Sequence, residues 1–151
     1  MKNYDYYYMY REGSQLSSLN KLFAALLSEK INIMNYSSNA LIEQKLNLQE
    51  NLNELSYIID DSLEKVKNLI KIKKGYPIFK LDDLDLISPI KTHISQDYKE
   101  SSIIENINSE IDVLLNIIKD IVSKMSEAGD YDTINVLSSI SYDLKTLLLY
   151  L

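Results

Sequence analysis

Apolar residues recur at steps of three and four along most of the chain, the spacing typical of helices that each bury one face. The first such stretch predicts a helix over about 15–36, with Ser14 or Ser17 as its N-cap. The second stretch predicts a helix over about 42–73. Their apolar positions are Leu16, Leu19, Phe23, Leu26 and Ile33 in the first stretch, and Leu48, Leu52, Leu55, Ile59, Leu63, Val66 and Ile70 in the second.

The end of the second helix carries several stop signals. Lys71, Lys73 and Lys74 lie where the helix dipole favours cations. Gly75 follows them, and we expect it to adopt the left-handed conformation that closes many helices. Pro77 then prevents continuation, because proline lacks the backbone N–H that a helix needs.

A short segment and a third long helix come next. The sequence KLDDLDLIS between Pro77 and Pro89 is amphipathic over a length of about two turns, so we predict a small crossover helix there. Ser101 or Ser102 then opens a helix over about 102–127. Its apolar positions run without a break through Ile104, Ile107, Ile111, Leu114, Ile118, Ile121 and Met125.

The last predicted helix spans about 131–149. Gly129 separates it from the preceding helix, and either Asp130 or Asp132 can cap it. Its apolar face consists of Leu137, Ile140, Leu144, Leu147 and Leu151. Two long helices, a short crossover helix and two more long helices predict an all-α fold, an antiparallel four-helix bundle.

The predicted bundle covers residues 14–151, and residues 1–13 form a tyrosine-rich N-terminal tail. For this tail we favour packing on a neighbouring subunit over stacking on single-stranded bases, since it carries little net positive charge. Several apolar residues fall outside the core stripes, which favours a homo-oligomer. These residues are Leu27, Ile58, Leu115 and Leu149.

Composition narrows the functional classes. The chain has 151 residues and no cysteine, which excludes disulfides and thiolate metal sites. Its net charge of −6 disfavours binding to duplex DNA. The N-terminus has no apolar leader segment, and no stretch has the roughly 20 apolar residues needed to span a bilayer. We therefore expect a soluble cytoplasmic protein.

Three segments in order resemble the Dps family of mini-ferritins. EKVKNLIKIKKGYP at 64–77 is similar to the family's D-E-x-x-E-R-L-x-x-x-G-G-x-P ending of its second helix. LDDLDLIS at 81–88 takes the place of the short helix between the family's two helix pairs. SEAGDYDTINVLSSISYDLKTLLLYL at 126–151 resembles the E-G-D-x-x-T-x-x-x-L junction and the last helix. The resemblance implies a ferritin-like bundle assembled into a hollow dodecamer.

The resemblance also implies an iron-oxidising centre at a two-fold subunit interface, but most of its ligands are substituted. The family's K-x-H-x-x-H-W segment corresponds to 30–36, where Asn32 and Asn35 replace the histidines and Tyr36 replaces the tryptophan. The family's D-x-x-x-E pair corresponds to Glu64 and Asn68. The early His and Asp of the second helix correspond to Gln49 and Asn53, if the loop before that helix carries a two-residue insertion.

Glu64 alone keeps the chemistry of an iron ligand, because neutral amides are weak donors and supply no charge compensation. We favour the interpretation that these residues are polar groups of a hydrated interface. The alternative is an altered metal site built from nearby carboxylates. The candidates are Glu50, Glu54, Asp60 and Asp61.

Two further sets of residues are candidates for a cation pore or a metal site. Glu127, Asp130 and Asp132 correspond to the surroundings of an acidic three-fold pore in Dps-like cages, although helix capping explains them equally well. His93 is the only histidine and cannot form a histidine-rich metal site, so we interpret it as a surface loop residue.

The resemblance implies a cage that sequesters iron and protects against oxidative stress, with weakened or absent ferroxidase activity. Iron is the only cofactor it suggests, and whether the chain is an enzyme stays open. One alternative is a pseudo-ferritin, which keeps the assembly as a structural or interaction module without iron chemistry. Another is an unrelated helical-bundle adaptor.

Overall fold

The computed structural model describes residues 14–39, 46–77 and 80–151, and the tyrosine-rich segment 1–13 lies outside them. Five helices make up this part of the chain. They are α1 (Gln15–Asn39), α2 (Leu46–Ile72), α3 (Leu81–Ile87), α4 (Glu100–Ala128) and α5 (Tyr131–Leu148). All five predicted helices are present, and their described bounds differ from the predicted ones by a few residues. The predicted start of the second helix, at 42–45, lies outside the described residues. None of the described helices combines the length and the apolar character needed to cross a bilayer.

Two of the three capping predictions are confirmed by hydrogen bonds. The prediction that Ser101 or Ser102 opens α4 is wrong, because the helix begins at Glu100 and the preceding residue, Lys99, makes no side-chain capping bond. At the start of α1 the backbone N–H of Ser17 donates to Ser14 Oγ at 2.9 Å. At the start of α5 the backbone N–H of Thr133 donates to Asp130 Oδ1 at 3.2 Å, so Asp130, and not Asp132, is the cap. Both side chains satisfy a backbone donor that the first helical turn leaves unpaired.

The prediction that Gly75 adopts the left-handed conformation is wrong. Lys74 adopts it instead, with φ 61°, and Gly75 is the next residue. The N–H groups of Lys74 and Gly75 donate to Lys71 O and Ile70 O, the bond pattern that closes a helix in a Schellman motif. Gly75 instead lies close under Leu16, since a Cβ there would lie 2.5 Å from Leu16 Cδ2 and would require that side chain to move.

The long helices form an antiparallel four-helix bundle. The start of α1 lies beside the end of α2, where Lys73 Nζ donates to Gln15 Oε1 at 3.4 Å. It also lies beside the end of α4, where Lys124 donates to Ser18 Oγ at 3.2 Å. The short helix α3 packs on α1. The predicted fold class is therefore confirmed.

The apolar stripes meet in one core that runs the length of the bundle. Its fully buried members come from all four long helices and include Leu22, Leu26, Leu55, Ile59, Ile107, Leu114, Leu137 and Ile140. Of the four residues predicted to lie off the stripes, Ile58 is buried, and Leu27 and Leu115 are partly buried against the core. Leu149 is 82% exposed.

Candidate functional site

Most of the positions that the resemblance assigns to the Dps iron centre lie on the surface of α1 and α2. Glu64, Asn53 and Asn68 are exposed, and Gln49 and Asn35 are partly buried. Over the residues that the structure describes, no three histidine, aspartate or glutamate side chains come close enough together to hold a metal ion. A single chain therefore offers no complete ligand set at these positions.

The carboxylates of this surface are paired with lysines. Lys67 Nζ lies 2.6 Å from Glu64 Oε2, one turn along α2. Asp60 pairs with Lys30 of α1 at 2.5 Å, and Asp61 pairs with Lys65 at 2.8 Å. A lysine ammonium beside a carboxylate offsets the negative charge that would attract a cation. Glu50 and Glu54, the other substitute candidates, are exposed on α2.

The asparagines that replace histidines on α1 have a structural role. Asn32 is fully buried and makes two bonds to the loop before α4: its Nδ2 donates to Lys91 O at 3.0 Å, and its Oδ1 accepts from His93 N at 2.8 Å. Asn35 Nδ2 donates to His93 O at 3.2 Å. One turn further, Asn39 Nδ2 donates to Ser95 Oγ at 3.1 Å. These three amides, which we call the asparagine ladder, fasten the loop to α1.

The loop carries His93 to a buried glutamate of α4. His93 Nε2 lies 2.8 Å from Glu110 Oε1, and the same oxygen accepts a hydrogen bond of 2.5 Å from Tyr36 Oη. The Tyr36 ring meets the Tyr98 ring edge-on at 5.1 Å between centroids. Burial and the adjacent Glu110 raise the pKa of the Tyr36 hydroxyl well above its usual value, so this hydroxyl remains a proton donor.

A second glutamate, Glu29 of α1, lies beside Glu110 in the core and is fully buried. No described N–H or O–H group donates to either Glu29 oxygen or to Glu110 Oε2. Burial, and then the neighbouring Glu110 carboxyl, raise the pKa of Glu29 well above its usual range. A neutral Glu29 accounts for both findings, because its own O–H can donate to Glu110.

Neither Glu29 nor Glu110 was predicted to be a site residue, although the sequence places both in the core register of their helices. Glu29 lies three residues after Leu26 and four before Ile33, on the apolar face of its helix. Glu110 likewise falls in the core register of α4, four residues before Leu114. A carboxyl group in the core register of a helix becomes buried, and its burial is costly unless another group forms a hydrogen bond or an ion pair with it. His93 was interpreted as a surface loop residue, and its bond to the buried Glu110 was not foreseen.

The residues assigned to an acidic pore have different environments. Asp130 accepts a hydrogen bond from Thr133 and pairs with Lys73 at 2.6 Å. The hydrogen bond from Lys73 is the largest effect that lowers the pKa of the Asp130 carboxyl. Glu127 and Asp132 are exposed. Capping and ion pairing thus account for Asp130.

Solved structures with the same architecture include several Dps proteins. The protein from Vibrio cholerae O1, described as a member of a broad superfamily of ferritin-like diiron-carboxylate proteins, matches with a TM-score of 0.82. The match covers 87% of this chain and 82% of that chain, at 19% sequence identity. The Listeria innocua Dps matches with a TM-score of 0.85 over 93% of both chains, at 14% identity.

This chain has the Dps fold. The Lactococcus lactis DpsA protein extends the agreement, with a TM-score of 0.85 over 99% of this chain and 91% of that one, at 12% identity. No protein-family model matches the sequence, and no curated protein matches it. At identities this low, the Dps fold is shared while the residues that do chemistry have to be judged one by one.

Proposed function

We propose that this chain is a divergent Dps-type protein that assembles into a cytoplasmic homo-oligomeric cage, sequesters iron and protects against oxidative stress, with weakened or absent ferroxidase activity. Iron is the cargo here. The assembly we propose is a dodecamer, with residues 1–13 as a tail that packs on a neighbouring subunit. Glu127 and Asp132, which are exposed, would supply the negative charge of its pores.

The observation that carries this proposal is the Dps fold over 87–99% of the chain together with the state of the ligand positions. Every position that would supply an imidazole or an additional carboxylate holds a neutral amide, and Glu64 is paired with Lys67. Because an oxygen-bridged pair of ferric ions needs several anionic ligands, this set favours slow oxidation.

Assembly and iron uptake test the proposal in turn. Native mass spectrometry of the full chain at micromolar concentration should give a dodecamer, and aerobic addition of ferrous iron should give iron that co-elutes with it. A monomer or a simple dimer would refute the cage. A dodecamer that retains no iron would refute iron sequestration.

A pseudo-ferritin, which keeps the assembly without iron chemistry, is the second candidate. It is favoured by the roles that the substituted residues have acquired. Asn32 and Asn35 bind the loop backbone, and three carboxylates of α2 are paired with lysines. Iron retention by the assembled particle separates the two candidates.

Duplex DNA binding is not part of the proposed function. The net charge is −6, and three lysines of α1 and α2 are paired with carboxylates. Affinity for the phosphate backbone comes mainly from counterion release by clustered basic residues. We expect no gel shift of plasmid DNA at physiological salt. A shift that weakens steeply as salt is added would contradict this.

A further inference from the structure

The buried glutamate pair has no part in the proposed iron chemistry, and its environment points to a proton-linked device. Glu29 is 0% exposed and Glu110 is 7% exposed. Two carboxylates that lie side by side away from water cannot both be ionised at acceptable cost, since burial and mutual repulsion each disfavour the second charge. One of the two therefore keeps a proton.

The contacts show which carboxyl group is neutral. Glu110 is the anionic member because its Oε1 receives the Tyr36 hydroxyl and bonds to His93 Nε2. Glu29 has no such donor, and its two oxygens have only Glu110 in reach. A proton on Glu29 that points at Glu110 Oε2 pairs two of the three oxygens that otherwise have no hydrogen-bond partner.

The pair meets solvent on one side, where the loop over residues 89–99 covers it. A hollow of about 220 Å³ lies there, lined by His93, Asn106, Ser109 and Glu110 among others. The His93 side chain is 37% exposed and the Glu110 side chain is 9% exposed. Water in this hollow can therefore reach Glu110 beside His93 and its loop.

We propose that Glu29 and Glu110 share one proton at neutral pH, and that loss of this proton on the alkaline side breaks the contact between His93 and Glu110 of α4 and so loosens the 89–99 loop. Ionisation of Glu29 places a second negative charge in the core, and Glu110 is the only one of the two that can turn towards water. It would then leave His93.

Few titratable groups contact Glu29 and Glu110, so the net charge of the pair depends on its shared proton. From α1 the only other titratable group in contact is Tyr36, which stays protonated. The loop contributes His93, which contacts Glu110 of α4. The pKa of Glu29 responds to Glu110 and to burial, and to no described charged group of α2, α3 or α5.

The direction of the pH effect follows from the raised pKa of Glu29. The stability that its proton contributes is fully present below the unfolded value near 4.5, and it is lost as pH rises through the higher folded value. One extra proton in the folded chain changes the unfolding equilibrium constant about tenfold per pH unit within that window. Wild-type stability should thus fall more steeply than that of E29Q as pH rises above the unfolded value near 4.5.

Amide exchange shows whether the loop responds. The His93 and Tyr98 amides are held by Asn32 Oδ1 and Asn39 O, and the Gly75 amide reports on the other end of the bundle. Comparing wild type with E29Q at each pH cancels the intrinsic pH dependence of exchange. We expect protection of His93 and Tyr98 to fall with pH in wild type only, while protection of Gly75 follows global stability in both proteins.

Other measurements keep the inference open to refutation if E29Q does not fold. E29L, which has a similar volume and no charge, serves as a second variant. The infrared band of a protonated carboxyl group in the wild-type protein at neutral pH needs no variant. Absence of that band, a parallel stability slope in wild type and E29L, or a slope that disappears on removal of bound cations with EDTA would each overturn the shared proton.

Discussion

At the scale of single residues, Lys74 holds a backbone conformation that suits glycine better. Its φ of 61° is the only positive value of a non-glycine residue in the described chain. A side chain in this region costs about 1–2 kcal/mol, and glycine avoids it at an entropic cost of about 0.5–1 kcal/mol. We therefore expect K74G to raise the free energy of unfolding by about 0.5–1 kcal/mol.

Urea unfolding checks this, with K71G as the matched control. Lys71 lies in the last turn of α2, where glycine should destabilise by about 1 kcal/mol. If K74G were as destabilising as K71G, the side chain of Lys74 would stabilise the protein by more than its positive φ costs.

Asp130 combines two stabilising interactions, the cap on α5 and the ion pair with Lys73. We expect D130A to lower the free energy of unfolding by about 1–2 kcal/mol, as is usual for a lost cap. D132A is the control, because Asp132 is exposed in the same first turn and contributes only the dipole effect of about 0.3–1 kcal/mol.

The pH dependence of Asp130 has the opposite sign to that of Glu29. Lys73 and Thr133 lower the pKa of the Asp130 carboxyl below 3.8. Its contribution is present above that value and is lost as pH falls through the folded pKa. Stability measured between about pH 5 and pH 2 should fall less steeply in D130N than in wild type and D132N. Parallel curves for all three proteins would show that the interaction is not linked to protonation.

At the scale of elements, the apolar spacing predicted every described helix, because each helix buries one continuous stripe of the core. The helix ends were less accessible from sequence. Gly75 was assigned a left-handed role that Lys74 takes, since sequence alone does not show that Leu16 closes the space above Gly75. The contacts among Glu29, Glu110 and His93 were also missed, because they join three elements distant in sequence.

The asparagine ladder explains how the loop before α4 is positioned. Asn32 satisfies two backbone groups of that loop from a fully buried position. We expect N32A to lower the free energy of unfolding by about 1–3 kcal/mol, because His93 N–H and Lys91 O are then left without this partner. Protection of the His93 amide should also decrease.

N68A is the control for this prediction. Asn68 is exposed on α2, and removing its side chain should change stability by no more than about 0.5 kcal/mol. Equal effects of N32A and N68A on unfolding, with unchanged exchange at His93, would show that the amide of Asn32 does not hold the loop.

At the scale of the whole molecule, the iron centre would form only where two copies of the chain meet. In its described part, the single chain has no group of three histidine or carboxylate side chains that could hold a metal ion. In the assembled protein, Asn35 of one copy and Asn53, Glu64 and Asn68 of another would face the same space, as the resemblance to Dps implies. Glu64 alone brings one negative charge per site, and Lys67 offsets it.

Restoring the missing ligands should therefore restore activity. We expect the triple variant N35H, N53D and N68E to oxidise ferrous iron with peroxide at least about tenfold faster than the natural chain, since even outer-shell changes alter metal sites about 10–100-fold. E64Q in the natural chain should change the rate little. Stopped-flow absorbance of the assembled particle measures both.

The matched control separates a rebuilt site from a general gain in negative charge. N116D and N135E add two carboxylates at exposed positions of α4 and α5, away from the proposed interface. If this control accelerates oxidation as much as the triple variant, cation attraction by the whole particle is responsible. If the natural chain already oxidises iron rapidly and E64Q abolishes it, a carboxylate site is active in the natural assembly. Glu64 would then be a functional ligand, because losing a single negative group from a nearly neutral site could not otherwise stop the reaction.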